Sequence, residues 1–195
     1  MPGEEKFGFL TSRMYPLVNA VPTLRRFYRF VISDLRGFNF STILDIGSGT
    51  GSLLIRIYLE KNNISATGID PSPHMVEVAS RKASRKKMDK SVHFYQGSNR
   101  HIPGDEKYDI IISSLSFHHW HDRSESVGQI MQRLNPGGKF LIYEVYDDGS
   151  FNRKIVKNHL MEKEDFEKIA SEWNLSLKIL QSGGFIRAQY EPFRK

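Results

Sequence analysis

Ile43-Leu44-Asp45-Ile46-Gly47-Ser48-Gly49-Thr50-Gly51 is the stretch that decides the fold. Ile43 and Leu44 open an apolar run that predicts a buried strand. Gly47, Gly49 and Gly51 make a turn that residues lacking a Cβ cross easily, and Leu53-Leu54-Ile55 begins an apolar helix. A strand, a glycine turn and a helix present backbone N–H groups and the positive helix end to a ligand, with no side chains in the way. The spacing argues against a pyrophosphate, because a dinucleotide fingerprint wants G-x-G-x-x-G and Ser52 stands where the third glycine belongs. Asp45, two residues before the first glycine, puts a carboxylate at the same turn. An acid there suits a cationic ligand.

About twenty residues on, Ile64 to Ile69 reads as a second strand ending in Asp70, whose carboxylate is expected at the carboxyl edge of the sheet, placed for a ribose diol. Asp45-x-Gly47-x-Gly49-x-Gly51 together with Asp70 resembles the class I S-adenosylmethionine-dependent methyltransferases. The resemblance implies a doubly wound α/β domain with a seven-stranded, mostly parallel sheet, an antiparallel last strand and helices on both faces.

Composition is consistent with one domain. The chain has 195 residues, 39% of them hydrophobic, enough for a single core. The family resemblance implies that residues 1–40 form an N-terminal helical lid on a cofactor-binding body of residues 41–195. No run approaches a membrane span and the first residues lack a signal pattern, so a soluble, cytoplasmic protein is expected. Zero cysteines exclude disulfides, zinc thiolates and a cysteine nucleophile. The formal charge of +6 keeps an acidic partner such as RNA in view.

Leu24, Phe27, Tyr28, Val31, Ile32 and Leu35 fall at helical spacing, with Pro22 expected in the first turn. Upstream, Tyr15 is a candidate for the substrate pocket. After Asp70, the resemblance implies Pro71 beside the cofactor, while Ser72 is placed to cap a helix and Pro73 to open it, with Met75, Val76, Val78 and Ala79 expected to point inward. Arg81, Lys82, Arg85, Lys86, Lys87 and Lys90 crowd the far end of that helix. Cations there favour the helix dipole, which explains them without a partner, and no aromatic residues interleave with them.

Val92 to Gln96 reads as a third strand. In the resembling family the loop after it supplies an acid to adenine, whereas Ser98 occupies the matching position here and Asn99 is its expected substitute. Tyr108 to Ser113 is a fourth, fully buried strand. Ser114-Leu115-Ser116-Phe117-His118-His119 follows, resembling the small-molecule branch and lacking the Asp/Asn-Pro-Pro-Tyr/Phe motif of base and amide N-methyltransferases. By that resemblance Ser114 underlies the methionine moiety, while His118 and His119 are candidates for a general base and His118 also for the pocket wall. His118, His119, His121 and Asp122 invite a metal, but methyl transfer requires none and no metal is expected.

Val127, Ile130, Met131 and Leu134 make a helical stripe ended by Asn135-Pro136-Gly137-Gly138, which resembles the family's L-x-P-G-G turn. Lys139 to Tyr146 is the fifth strand, with Tyr143 and Tyr146 as pocket candidates. A helix over about 162–174 and a hairpin of Leu175 to Leu180 and Phe185 to Tyr190 around Gly183-Gly184 complete the chain.

By resemblance, then, S-adenosylmethionine is the expected cofactor, leaving as S-adenosylhomocysteine, and a small molecule is the expected acceptor at an O, N or C nucleophile. Asp45 would face the ammonium, Gly47, Ser48, Gly49 and Gly51 would cradle the amino-acid end, Asp70 would hold the ribose, and Met75, Ser98 and Asn99 would border adenine. A tRNA or rRNA methyltransferase and a non-catalytic cofactor-binding subunit are the alternatives, with a nicotinamide dehydrogenase behind both. Nothing in the sequence specifies an oligomer.

Overall fold

The computed structural model describes residues 17–146 and 161–193. The chain runs α1 (Leu17–Leu35), β1 (Thr42–Ile46), α2 (Ser52–Lys61), β2 (Ser65–Asp70), α3 (Pro73–Arg85), β3 (Val92–Gln96) and β4 (Tyr108–Ser114). A 3₁₀ turn at Phe117–His119 leads to α4 (Arg123–Gln132), β5 (Leu134–Val145), α5 (Lys163–Glu172), β6 (Leu175–Ser182) and β7 (Phe185–Pro192).

The strands form one seven-stranded sheet in the order β3-β2-β1-β4-β5-β7-β6. Strands β1 to β5 pair in parallel, and β7 runs antiparallel to both neighbours. The chain builds outward from β1 to β3, then returns to lay β4 against the other side of β1. That reversal opens a crevice at the carboxyl ends of β1 and β4, the place where open α/β sheets receive ligands.

Strand periodicity explains why the runs look uniformly apolar. Ile43 joins the core on the face covered by α1, α2 and α3, with Phe27, Leu54 and Ala79. Its neighbour Leu44 joins the opposite core, under α4 and α5, with Val127, Ile130 and Phe166. A strand covered on both faces has no polar side to show.

Local differences from the sequence expectations have local causes. Pro22 lies inside α1 at its sixth position, because the helix begins at Leu17. One N–H is missing there, and burial of Phe27, Val31 and Leu35 sustains the helix beyond it. Leu24 of the expected stripe is exposed. On α3, Ala79 and Ala83 are the buried residues while Met75, Val76 and Val78 are only half-buried. Small side chains let this helix sit close on the sheet. Strand β5 begins at Leu134 rather than Lys139: Tyr108 pairs with Leu134 and Ile110 with Lys139, so the Pro-Gly-Gly segment is an irregularity inside the ladder. The closing hairpin turns on Gly183 and Gly184, both at positive φ (57° and 81°), as a two-residue turn of this hand requires.

Candidate functional site

The glycine turn leaves β1 at the topological reversal. Gly47 and Ser48 donate to the carbonyl of Ile69 at 2.8 and 2.9 Å, which ties the turn to β2. Gly47 has φ 80°, and a Cβ there would collide with the Ser116 hydroxyl. Gly49 has φ 53° and open space where a Cβ would go, so its missing side chain leaves room for a ligand.

Asp70, at the end of β2, accepts from the Gly49 N–H at 2.9 Å through one oxygen and from the Ser72 N–H at 2.9 Å through the other. Burial pushes its carboxyl upward while those two N–H groups oppose the shift. Asp70 therefore fixes the turn as well as facing the crevice. The Ser72 hydroxyl accepts from the Met75 N–H at 3.4 Å and caps α3, whose first turn carries half-buried Met75 beside exposed Pro71.

Asp45 is 1% exposed. Neither of its carboxylate oxygens has a hydrogen-bond partner, and the buried Ser48 hydroxyl has none either. Among the described residues these are the buried side-chain atoms left unsatisfied, and all three belong to this turn. Desolvation, reinforced by the charge of Asp70, raises the Asp45 carboxyl to about 7. An uncompensated buried carboxylate is costly and persists where a ligand satisfies it. An acid, a hydroxyl and an open glycine backbone suit a cationic, hydrogen-bonding ligand.

The loop after β4 forms the opposite wall. Leu115 is held at φ 52°, a strained conformation for a side chain of its size. Its N–H donates to the Tyr143 carbonyl at 3.0 Å. Ser116 Oγ donates to the Ile46 carbonyl at 3.2 Å and accepts from Trp120 Nε1 at 3.3 Å. Arg123 donates to the carbonyls of Phe117 at 3.2 Å and His118 at 2.7 Å. At the centre, Glu144 Oε1 accepts from the His118 backbone N–H at 3.2 Å, and Oε2 lies 2.9 Å from His118 Nδ1. The Glu144 side chain is 0% exposed and that of His118 5%. The His119 ring lies against that of His118, with centroids 4.0 Å apart.

Several residues sit otherwise than the sequence reading expects. Tyr143 is fully buried on the α1 side of the sheet and donates its hydroxyl to Asp34 at 2.8 Å, so it belongs to the core rather than to a pocket. Asn99 turns its amide to Ser126 on α4 at 2.7 Å, away from the role expected beside Ser98. Ser98 exchanges backbone bonds with His101, and its hydroxyl accepts from the Arg100 N–H at 3.2 Å. Ser114, half-buried, ends β4, whereas Ser116 is the serine set beneath Gly47. Tyr146 packs against the α4 and α5 core and bonds through its N–H to Gly184. Tyr15 lies outside the described residues.

Three contacts escaped the sequence reading. Tyr28 of α1 is near enough for the charge of Asp45, after burial, to raise its phenol. Lys82 donates to the Thr50 carbonyl at 3.1 Å and Ser52 Oγ at 3.0 Å, bracing the turn from α3. Glu144 pairs with His118 across 26 positions. No local spacing announces such contacts, although an acid in an otherwise apolar strand is itself a signal. Among the described residues no group of three or more His, Cys, Asp or Glu is arranged to hold a metal, and no helix is long and apolar enough to cross a membrane.

A parallel sheet with a glycine turn and two acids at its reversal point defines the class I, Rossmann-like methyltransferase fold. Residues 39–184 match the family described as a methyltransferase domain, and the chain belongs to that family. It is 26% identical over 145 residues to the demethylmenaquinone methyltransferase of Deinococcus radiodurans, covering 72% of this chain and 59% of that protein. It is 27% identical over 162 residues to the ubiquinone/menaquinone biosynthesis C-methyltransferase of Geotalea daltonii, covering 80% of this chain and 67% of that one. Among solved structures it resembles a Methanococcus maripaludis protein, a candidate S-adenosyl-L-methionine-dependent methyltransferase, with a TM-score of 0.79, 20% identity and coverage of 100% and 98%. The chain spans 45 to 60% of the length of the first four curated relatives it matches.

Proposed function

We propose that this chain binds S-adenosylmethionine at the glycine turn and transfers its methyl group to a small-molecule acceptor. The observation that carries the reading is the set of unsatisfied oxygens on Asp45 and Ser48, buried beside a turn that Asp70 holds open. A sulfonium cofactor supplies an activated methyl carbon, so the protein's task is to bind, align and keep out water.

In residue terms, Asp45 and Ser48 take the ammonium end, Gly47, Gly49 and Gly51 admit the amino-acid portion, and Asp70 receives the ribose on its remaining lone pairs. Pro71, Met75 and the Gly97-Ser98 backbone border adenine, with no acid in the position of Ser98. Ser114 and Ser116 floor the methionine end. His118 takes the acceptor's proton. The buried face of α1 is part of the core.

A small acceptor is favoured over RNA by the direction of α3. The helix starts at the site, behind Asp70, and its 13 residues carry it about 20 Å toward the opposite edge of the sheet. Exposed Arg85, Lys86, Lys87 and Lys90 cluster at that far end. The names of two relatives make polyprenyl-substituted naphthoquinols and benzoquinols the first acceptors to try. Incubation with methyl-labelled S-adenosylmethionine and a panel of such acceptors tests the reading. Label in an organic-soluble product supports it; label retained wholly in the cofactor, across quinols and other small nucleophiles, refutes it.

A further inference from the structure

Strand order fixes which part of a nucleoside ligand meets which loop. With the cationic end on Asp45 at the end of β1 and the ribose on Asp70 at the end of β2, the next strand outward is β3, about 4.8 Å further on. The base therefore falls on the loop from Gly97 to Pro103. What that loop offers a base edge is small. Gly97 gives its N–H to the Asp70 carbonyl at 3.2 Å, and Ser98 and His101 exchange backbone bonds at 2.9 and 3.1 Å. Asn99 is tied by its amide to Ser126 at 2.7 Å, and Gln96 by its own to the Pro71 carbonyl at 3.3 Å. The segment contains no acid, and the acid it touches, Asp122, is paired with Arg100. The hydroxyl of half-buried Ser98 accepts from the Arg100 N–H at 3.2 Å. A hydroxyl has one proton and two lone pairs, so that bond leaves it able to donate once and to accept once.

We propose that Ser98 sets the nucleobase selectivity of the cofactor site and sets it low: the site admits 6-oxopurine as well as 6-aminopurine nucleosides that carry the homocysteine or methionine tail. This rests on the cofactor reading above and adds the base to it. Toward an exocyclic amino group the hydroxyl turns its lone pair. Toward a 6-oxo group, rotation about the Cβ–Oγ bond turns its proton instead. A carboxylate in the same place could only accept. It would meet a 6-oxo group oxygen against oxygen, the kind of unpaired polar contact by which a site rejects the wrong ligand. Ser98 thus leaves the amino-acid and ribose contacts unchanged and decides only how strictly the base is read.

Calorimetric titration with S-adenosylhomocysteine and with S-inosylhomocysteine reads the selectivity directly. In wild-type protein the two dissociation constants should agree within about tenfold, the span of one neutral hydrogen bond. Ser98→Asp keeps an acceptor for the Arg100 N–H, so the loop should hold, and a thermal melt matching wild type checks it. In that variant the adenosyl ligand should bind tighter and the inosyl ligand weaker, widening their ratio by at least about tenfold. A wild-type preference for the adenosyl ligand beyond about tenfold, or a folded Ser98→Asp protein with the wild-type ratio, overturns the proposal and leaves the cofactor reading standing. Should Ser98→Asp fail to fold, the wild-type ratio decides alone. A chain that binds neither ligand overturns both readings.

Discussion

Replacing Asp45 by Asn should make the protein more stable and less able to bind its cofactor, and the size of the first effect should depend on pH. The carboxyl titrates near 3.8 when unfolded and at about 7 in the fold. Between those values the folded chain holds a proton that the unfolded chain has released, so stability falls as pH rises through the window and levels off above it. A shift of about three units at 1.36 kcal/mol each is about 4 kcal/mol. Asparagine has the same shape and no charge to bury. Its advantage should be close to zero at pH 4, grow by about 1.4 kcal/mol per pH unit, and reach roughly 3–4 kcal/mol by pH 8. Urea or guanidinium denaturation of both proteins from pH 4 to 8 measures it, with ligand absent. A pH-independent difference, or an Asn variant less stable than wild type at pH 8, would refute the reasoning. Loss of a charge-assisted bond to the ammonium should weaken cofactor binding by about 1.5–3 kcal/mol, roughly 10- to 150-fold. Wild-type affinity should also decline as pH drops below about 7, since the protonated acid attracts a cation less.

Asp70→Ala should weaken S-adenosylhomocysteine binding at least tenfold by isothermal calorimetry, because it removes a ribose acceptor together with the bonds to Gly49 and Ser72. Gly47→Ala should cost about 1–2 kcal/mol from its positive φ alone, plus the collision with Ser116. In thermal melts Ser116→Gly should relieve the second part, and simple additivity of the two changes would contradict the contact. Tyr143→Phe should lower stability by about 1–2 kcal/mol through the lost bond to Asp34, with cofactor affinity unchanged. A loss of affinity there would return Tyr143 to the site.

The buried strand opened by Ile43 and Leu44, the glycine turn and the two aspartates were legible because each is a short-range pattern with a single physical meaning. Strand existence followed from β-branched runs such as Ile110-Ile111-Ile112, and the seven-stranded, mostly parallel sheet with its antiparallel last strand came only through the family resemblance. What escaped depends on partners far along the chain. Tyr143 reads as an edge-of-sheet polar residue until Asp34, 109 positions away, takes its hydroxyl. Asn99 carries no sign that Ser126 will claim its amide. Lys82 looks like one more cation at a helix end, yet it faces the turn and braces Thr50 and Ser52. Pro22 misleads because a first-turn proline is the commoner case, and the five residues before it complete the helix start. Residues 147–160 lie outside the described residues.

Calorimetric titration of the wild-type chain with S-adenosylmethionine at pH 8, where Asp45 is ionised, is the most direct test of the cofactor site. The expected result is one saturable site per chain, competed by S-adenosylhomocysteine and weakened in the Asp45→Asn protein. Absence of saturable heat up to millimolar ligand, or equal affinity in wild type and Asp45→Asn, would contradict it.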